Sequence, residues 1–412
     1  MKIKNINTIV DYLIITLPLA YLLGSPFVNM ALVIGSIIFL SNSIKYNKWD
    51  WLKITWVRLF IIFWFYLIMN SIFATDIFNA LRGSLSLIRF LLFSLLISYY
   101  GFRVFSFKKV ISFWQIILLI VMADIFFQFI FGFNIIGLPK HGVRFSGFFG
   151  NELIAGSYIF KFSAVIIGTL YYKIFFTPSN RTEYLGAVIF CLFIFFVCLI
   201  TGERMSFILY GTLSIFLLIF ILCFKKKFKY LLLFLITTIL SLILIFNISN
   251  SIKSRYSEMT SILNNFNQSS YGKLFNSGYR LWQNNVIFGV GIKNFRVECD
   301  KQLEDILPSN PAQLCSTHPH NLYLELLSET GLVGTFIFIT LFFVYFKGVL
   351  SQKIWDLKKK RNCIILSLII SSLLIIWPIG TSGSFFTTWN GSYLWIQIGI
   401  LNHLLTRKKI II

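Results

Sequence analysis

Apolar stretches of about 20 residues recur along nearly the whole chain, each long enough to cross a bilayer as a helix. Runs such as Leu231–Phe246 and Ile364–Trp377 have no charged face. A surface helix of a soluble protein needs such a face, so these runs exclude a soluble fold. Composition agrees. The 412 residues are 57% hydrophobic and only 13% charged, with a mean hydropathy of +0.79, and soluble domains carry more charge. Inside lipid, backbone groups must be satisfied within the segment, which selects helices. The pattern predicts an all-α integral membrane protein, one polytopic domain over residues 1–412. About twelve spans are expected, centred near residues 16, 35, 65, 90, 121, 164, 193, 214, 238, 334, 371 and 397. The least regular are the first pair, split by Gly24-Ser25-Pro26, and the span holding Arg82 and Arg89. Lys2 and Lys4 precede an apolar stretch without a small-x-small cleavage site, so no cleavable signal peptide is expected.

The net charge of +22 follows from topology. Basic residues cluster in alternate loops: Lys45/Lys48/Lys53/Arg58, Arg103/Lys108/Lys109, Lys173/Arg181, Lys225–Lys227 with Lys229, Lys347 to Arg361, and Arg407–Lys409. With a cytoplasmic N-terminus, all of them fall on the cytoplasmic side, as the positive-inside bias requires. Nucleic-acid binding explains short, scattered basic loops less simply. The same count places residues 133–151, a smaller loop, and residues 248–320, a large loop between the ninth and tenth spans, on the external face. The large loop is the one long polar stretch of the sequence, expected to form short helices and loops over the membrane.

Cys191, Cys198, Cys223 and Cys363 sit in or beside spans, where buried inert thiols are the ordinary case. Cys299 and Cys315 lie in the large loop, with Pro308 and Pro311 between them. In an oxidising compartment they are expected to pair, a closure worth roughly 3 kcal/mol.

Four polar clusters fall near the external face by span parity. They are His141-Gly-Val-Arg144-Phe-Ser146-Gly147-Phe-Phe-Gly150-Asn151-Glu152, then Thr201-Gly202-Glu203-Arg204-Met-Ser206, then Gly278-Tyr279-Arg280-Leu-Trp282 with Phe288-Gly289-Val-Gly291, and Thr317-His318-Pro319-His320-Asn321. Arg204 opens an apolar helix, where an arginine is expensive. It either snorkels, paired with Glu203, or holds an anion with the help of the helix N-terminus. Glu203 is expected to orient Arg204 rather than to act in chemistry. Arg144 and Arg280 read equally well as loop arginines or as anion ligands. Gly289-Val-Gly291 is no dinucleotide fingerprint, because no βαβ unit surrounds it. His141 and His403 are expected to be structural. His318 and His320 lack a third ligand at metal spacing, so no metal is expected. General base catalysis suits them better, with His320 the first choice, beside Asn321 at a helix start, and His318 in reserve.

In this order the motifs resemble the O-antigen ligase and polymerase superfamily of bacterial membrane glycosyltransferases. The resemblance rests on Thr317-His-Pro-His-Asn-Leu-Tyr-Leu with Glu329-Thr-Gly331, Arg204 in Thr-Gly-Glu-Arg, Arg280 in Tyr-Arg-Leu-Trp, and Arg144-Phe-Ser-Gly-Phe-Phe-Gly-Asn. It runs from about residue 140 to 340; the first third fits by hydropathy alone. It implies a metal-independent, cofactor-free, inverting transfer at the periplasmic face of the bacterial inner membrane, both termini being cytoplasmic. The implied donor is a glycan on undecaprenyl pyrophosphate, and the acceptor is lipid A–core for a ligase or another lipid-linked glycan for a polymerase. Transfer to protein side chains is a third variant. In each, His320 takes the acceptor proton while Arg204 and Arg280 hold pyrophosphate. A transporter of lipid-linked sugars is the rival class; it would place polar groups at mid-membrane, whereas the arginines here cluster at one face and Asp124 is the main acidic residue deep in a span.

Overall fold

The structure, a computed structural model, describes residues 3–177, 181–225, 229–302 and 315–406. Lys2, Lys226, Lys227, Pro308, Pro311 and the Arg407–Lys409 cluster lie outside the described residues. The helices are α1 (Ile3–Ile15), α2 (Leu17–Leu23), α3 (Ser25–Lys45), α4 (Thr55–Ile72), α5 (Ile77–Ser86), α6 (Ile88–Tyr100), α7 (Phe107–Phe131), α8 (Ala155–Phe176) and α9 (Arg181–Ile200). They continue with α10 (Arg204–Lys225), α11 (Lys229–Ile248), α12 (Asn250–Asn264), α13 (Ser270–Asn284), α14 (Phe295–Gln302), α15 (Leu322–Leu350), α16 (Lys360–Ile375) and α17 (Thr388–Thr406). Among the described residues, β pairing is confined to two isolated bridges, Phe133 with Pro139 and His141 with Arg144.

Among the described residues, eight candidate spans are long and apolar enough to cross a membrane: α3, α4, the α5–α6 pair, α7, α8, α9, α10 and α15. The span expected near residue 16 is α1 and α2, bent by 51°. Pro18, in the first turn of α2, supplies no N–H to the preceding turn and crowds it, which breaks the helix. The spans expected near 238, 371 and 397 fall on α11, α16 and α17. The last two are unlike the rest because they are inner helices. α16 has only 16 residues, and α17 carries Asn390, Ser392, Gln397, Asn402 and His403.

Those polar groups are met inside the bundle. Gln397 accepts from Ser372 Oγ at 2.9 Å and donates to Ser371 Oγ at 2.9 Å. Ser367 Oγ donates to Ala164 O at 2.5 Å, and Tyr345 Oη to Asn402 Oδ1 at 3.2 Å. His403 Nδ1 lies 3.3 Å from Ser98 O, with its ring against Phe102. Such interhelical bonds let a buried helix be less apolar than one facing lipid. Small residues bring the inner backbones together. A Cβ on Gly168 would lie 2.7 Å from Ile364 Cα, and one on Gly399 2.7 Å from Ser94 O.

The polar segment after α11 folds into α12, α13 and α14, and a disulfide joins Cys299 to Cys315 with their Cα atoms 5.6 Å apart. It is tied to the bundle at a break in α15. Gly331 has φ 63 and ψ −168. Across the break Val290 and Gly291 donate to Ser328 O and Glu329 O, while Leu332 and Val333 donate to Val286 O and Ile287 O, at 2.8–3.2 Å. A Cβ on Gly331 would lie 2.3 Å from Ile287 O, and one on Gly289 2.5 Å from Glu329 C. Only glycine permits this approach, which accounts for the glycines of both motifs.

Candidate active site

One cavity of about 400 Å³ collects the chemistry. It lies where the turn between α9 and α10 and the C-terminal end of α16 meet the N-terminal turns of α8, α10, α15 and α17, covered by α12, α13 and the loop before α8. Its charged lining is Arg144, Arg204, Arg255, Lys161 and Glu203, with His320 on the α15 side. Four basic groups thus face one acidic group.

Each is positioned by local structure. Arg144 ends a tight turn in which His141 and Arg144 exchange both main-chain hydrogen bonds, at 3.1 and 3.0 Å, around Gly142 at φ 59. The loop carrying this turn is pinned to α7. Asp124 Oδ1 accepts from Ile135 N at 2.9 Å, and Gln128 bonds Leu138 O and Gly147 N. Asp124 is therefore spent on the loop. Arg144 Nη2 donates to Leu153 O at 3.3 Å, but its Nε is buried without a hydrogen-bond partner among the described residues. Burial lowers its pKa, and Glu203 opposes that shift.

Arg204 is the first residue of α10, so the helix N-terminus reinforces its charge. Its Nη1 is likewise buried without a hydrogen bond, and lies 3.9 Å from Glu258 Oε2. Glu203 is otherwise engaged. It accepts from Gly156 N at 2.7 Å, Ser157 N at 3.1 Å and Ser206 Oγ at 3.1 Å, capping α8 from another helix's turn. Burial raises its pKa, although those amides and Arg144 pull it down. The carboxylate in ion-pair range of Arg204 is thus Glu258.

His320 lines the cavity, and its ring meets Tyr271 edge-on at 6.0 Å. Its backbone is left-handed at φ 55, held by Ser382 N donating to His320 O at 2.8 Å; such strain is found at sites the surroundings over-determine. Burial lowers the His320 pKa, opposed by a backbone hydrogen bond at Ser382. The His318 ring lies against it at 4.1 Å, tilted by 47°, but His318 is not among the cavity-lining residues. Its Nδ1 lies 3.0 Å from Thr317 Oγ1 and its Nε2 3.2 Å from Ser382 O. Burial pushes its pKa down to about 4, helped by His320. Asn321 is the N-cap of α15, accepting from Tyr323 N and Leu324 N at 3.0 and 3.1 Å while donating to Pro378 O and Gly380 O. It thereby joins the histidine turn to the segment leading into α17. Arg280 lies on α13, half-buried, and is not among the residues lining the cavity. The arginine that does line it from the polar segment is Arg255, whose Nε donates to Gly202 O at 3.3 Å and whose Nη1 donates to Glu258 at 3.0 Å.

Against this geometry, residues 189–339 match the family model described as O-antigen ligase. Over these residues the chain is similar to that family. The match supports a likeness to the O-antigen ligase and polymerase superfamily, whose members are glycosyltransferase-like ligases and polymerases; the candidate spans are those of a multi-pass membrane protein. No curated protein matches the chain. The family segment supplies Arg204, Arg255, Tyr271 and His320 to the cavity, whereas Arg144, Lys161 and the α16–α17 wall come from outside it.

Two charged lining residues, Arg255 and Lys161, escaped the sequence reading. Arg255 and Glu258 are spaced i, i+3 on a polar helix, which looks like a solvated pair. Lys161 did carry a signal, a cation six residues into an apolar helix. It is 5% exposed, and its Nζ donates to Trp389 O at 2.9 Å and Asn390 Oδ1 at 3.2 Å. Among the described residues no group of three or more His, Cys, Asp or Glu side chains is arranged to hold a metal ion.

Proposed function

We propose that this chain is an inverting, metal-independent glycosyltransferase of the O-antigen ligase type. It moves a glycan from undecaprenyl pyrophosphate to lipid A–core at the periplasmic face of the bacterial inner membrane. The observation that carries this reading is the convergence of Arg144, Arg204, Arg255 and Lys161 on one cavity with His320 at its wall. A pyrophosphate diester carries two negative charges. Arg144 Nε and Arg204 Nη1, without hydrogen bonds among the described residues, belong to guanidinium groups suited to it.

In the proposed step the acceptor hydroxyl oxygen attacks the anomeric carbon, and its proton passes to His320. The bond from that carbon to the pyrophosphate oxygen breaks, and the lipid pyrophosphate leaves with the bonding pair. The guanidinium groups stabilise the growing charge in a partly dry site. Glu203 and Asn321 position this machinery through α8 and α15, and His318 packs on the base. The twelve-span reading, counting α11, α16 and α17 with the bent α1–α2 pair, puts the cavity on the side away from the basic loops, with both termini cytoplasmic. Because both proposed substrates are lipids, the cavity is expected to open sideways into the bilayer.

The test is transfer by purified protein in liposomes. Formation of glycosylated lipid A–core from the lipid-linked donor supports the reading. Joining of lipid-linked repeat units instead makes the chain a polymerase. Movement of donor across the bilayer with no transfer overturns the enzyme reading.

A further inference from the structure

Helix α13 divides two cavities. Tyr271, in its first turn, faces the basic cavity and the His320 ring. Gly272, Phe275, Asn276 and Tyr279 line a second cavity of about 430 Å³, completed by Phe266, Asn267 and Leu324. The four α13 residues are spaced i, i+3, i+4 and i+7, which is one face of a helix. Two close approaches set this geometry. A Cβ on Gly272 would lie 1.8 Å from Phe266 O, so glycine lets the Phe266–Asn267 turn fold onto the helix. A Cβ on Gly278 would lie 2.9 Å from Pro319 Cβ, so a second glycine seats α13 directly on the histidine turn.

The lining of the second cavity has a definite chemistry. Phe266 and Phe275 meet edge-to-face at 5.4 Å, and Tyr279, 45% exposed, sits 5.5 Å from Trp282. Asn267 and Asn276 are exposed, and among the described residues no hydrogen bond occupies either amide side chain. No cationic side chain lines this cavity, which argues against a phosphate ligand. Two open amides among the rings argue against an acyl chain, which would leave them unbonded. A sugar ring meets both demands. Its C–H faces cover aromatic surface, and its hydroxyl rim bonds carboxamide donors and acceptors.

We propose that this second cavity holds the outer sugars of the acceptor glycan, beside the turn that carries His320. The proposal rests on the transferase reading above. It absorbs Tyr279, a residue of a sequence motif to which the basic cavity assigns no role.

The experiment uses the full-length protein in nanodiscs, with the acceptor lipid for kinetics and its oligosaccharide, freed from lipid A by mild acid, for binding. Tyr279→Ala and the Asn267→Ala/Asn276→Ala double variant alter exposed side chains, so normal folding is expected. Each should raise KM for acceptor about five- to tenfold, with kcat and the donor KM within about twofold of wild type. Tyr279→Phe should retain most acceptor affinity. In saturation-transfer NMR, the free oligosaccharide should contact the wild-type protein and lose that contact in Tyr279→Ala. An unchanged acceptor KM in both variants overturns the proposal, as does an equal rise in donor and acceptor KM. Binding of a peptide or protein, but not of the oligosaccharide, also overturns it. Arg204→Ala and His320→Ala are run in parallel. If they keep transfer the transferase reading falls, and the NMR arm still decides whether this cavity binds sugar. If they lose transfer while Tyr279→Ala keeps its acceptor KM, this site alone falls.

Discussion

Asp11 and Arg204 are both charged side chains packed into an apolar bundle, yet their surroundings are opposite. Asp11 is fully buried, and its carboxylate accepts from Phe102 N at 2.6 Å, Val104 N at 2.7 Å and Phe105 N at 2.8 Å. Its capacity is closed within the protein, and the loop between α6 and α7 is the beneficiary. The Arg204 side chain is 13% exposed and lines a cavity with Arg144, Arg255 and Lys161; among the described residues its Nη1 has no hydrogen bond, only Glu258 Oε2 at 3.9 Å. Burying a charge is expensive unless it is paired. A closed site returns that cost as structure, while an open one keeps capacity for a ligand.

The contrast is broken or sharpened by experiment, beginning with the largest effect. Arg204→Ala and His320→Ala should each lower transfer about 10²-fold or more at normal membrane level, with Arg204→Lys also failing because an ammonium lacks the planar fork. Wild-type transfer by either alanine variant would remove the open site from the chemistry. Asp11→Ala should behave the other way. It orphans three backbone amides and should cost about 2–3 kcal/mol of stability, seen as a lower thermal midpoint and less protein in the membrane. Activity per inserted molecule should hold; a loss of activity at full stability would erase the distinction.

The third test is pH. A general base works as the neutral imidazole, and burial depresses the His320 pKa below its ordinary 6.5. The acid limb of kcat/KM should therefore fall below pH 6.5, because the base stays unprotonated as pH drops toward its lowered pKa. An acid limb above that value would place the titrating group elsewhere. The smallest effect belongs to Glu258. It is half exposed and pairs with Arg255 at 3.0 Å and Arg204 at 3.9 Å. Glu258→Ala should tighten inhibition by inorganic pyrophosphate about two- to threefold at low salt, and less at high salt. Weaker inhibition would mean that Glu258 orients the arginines rather than competing for them.

Hydropathy alone made the helical membrane fold legible, because lipid-facing helices must be apolar on a surface that local sequence determines. It was less reliable for α16 and α17. Their polar residues are met by partners far along the chain, such as Ser367 with Ala164 and Ser392 with Tyr21. The histidine turn, Arg204 and the Cys299–Cys315 proximity were also legible, since each is a departure from apolar surroundings or a pair close in sequence. What the sequence could not rank were arginines of equal appearance. Arg280 sits in the stronger motif but off the cavity, while Arg255 in an ordinary helix lines it. The choice between His320 and His318 likewise depends on whether a ring faces the cavity or spends its nitrogens on Thr317 and Ser382. Local sequence determined which groups are costly to bury. Only the packing of α8, α10, α12, α15 and α17 decided which of them face one another, because those contacts join residues distant in sequence, from Gly156 with Glu203 to Lys161 with Trp389.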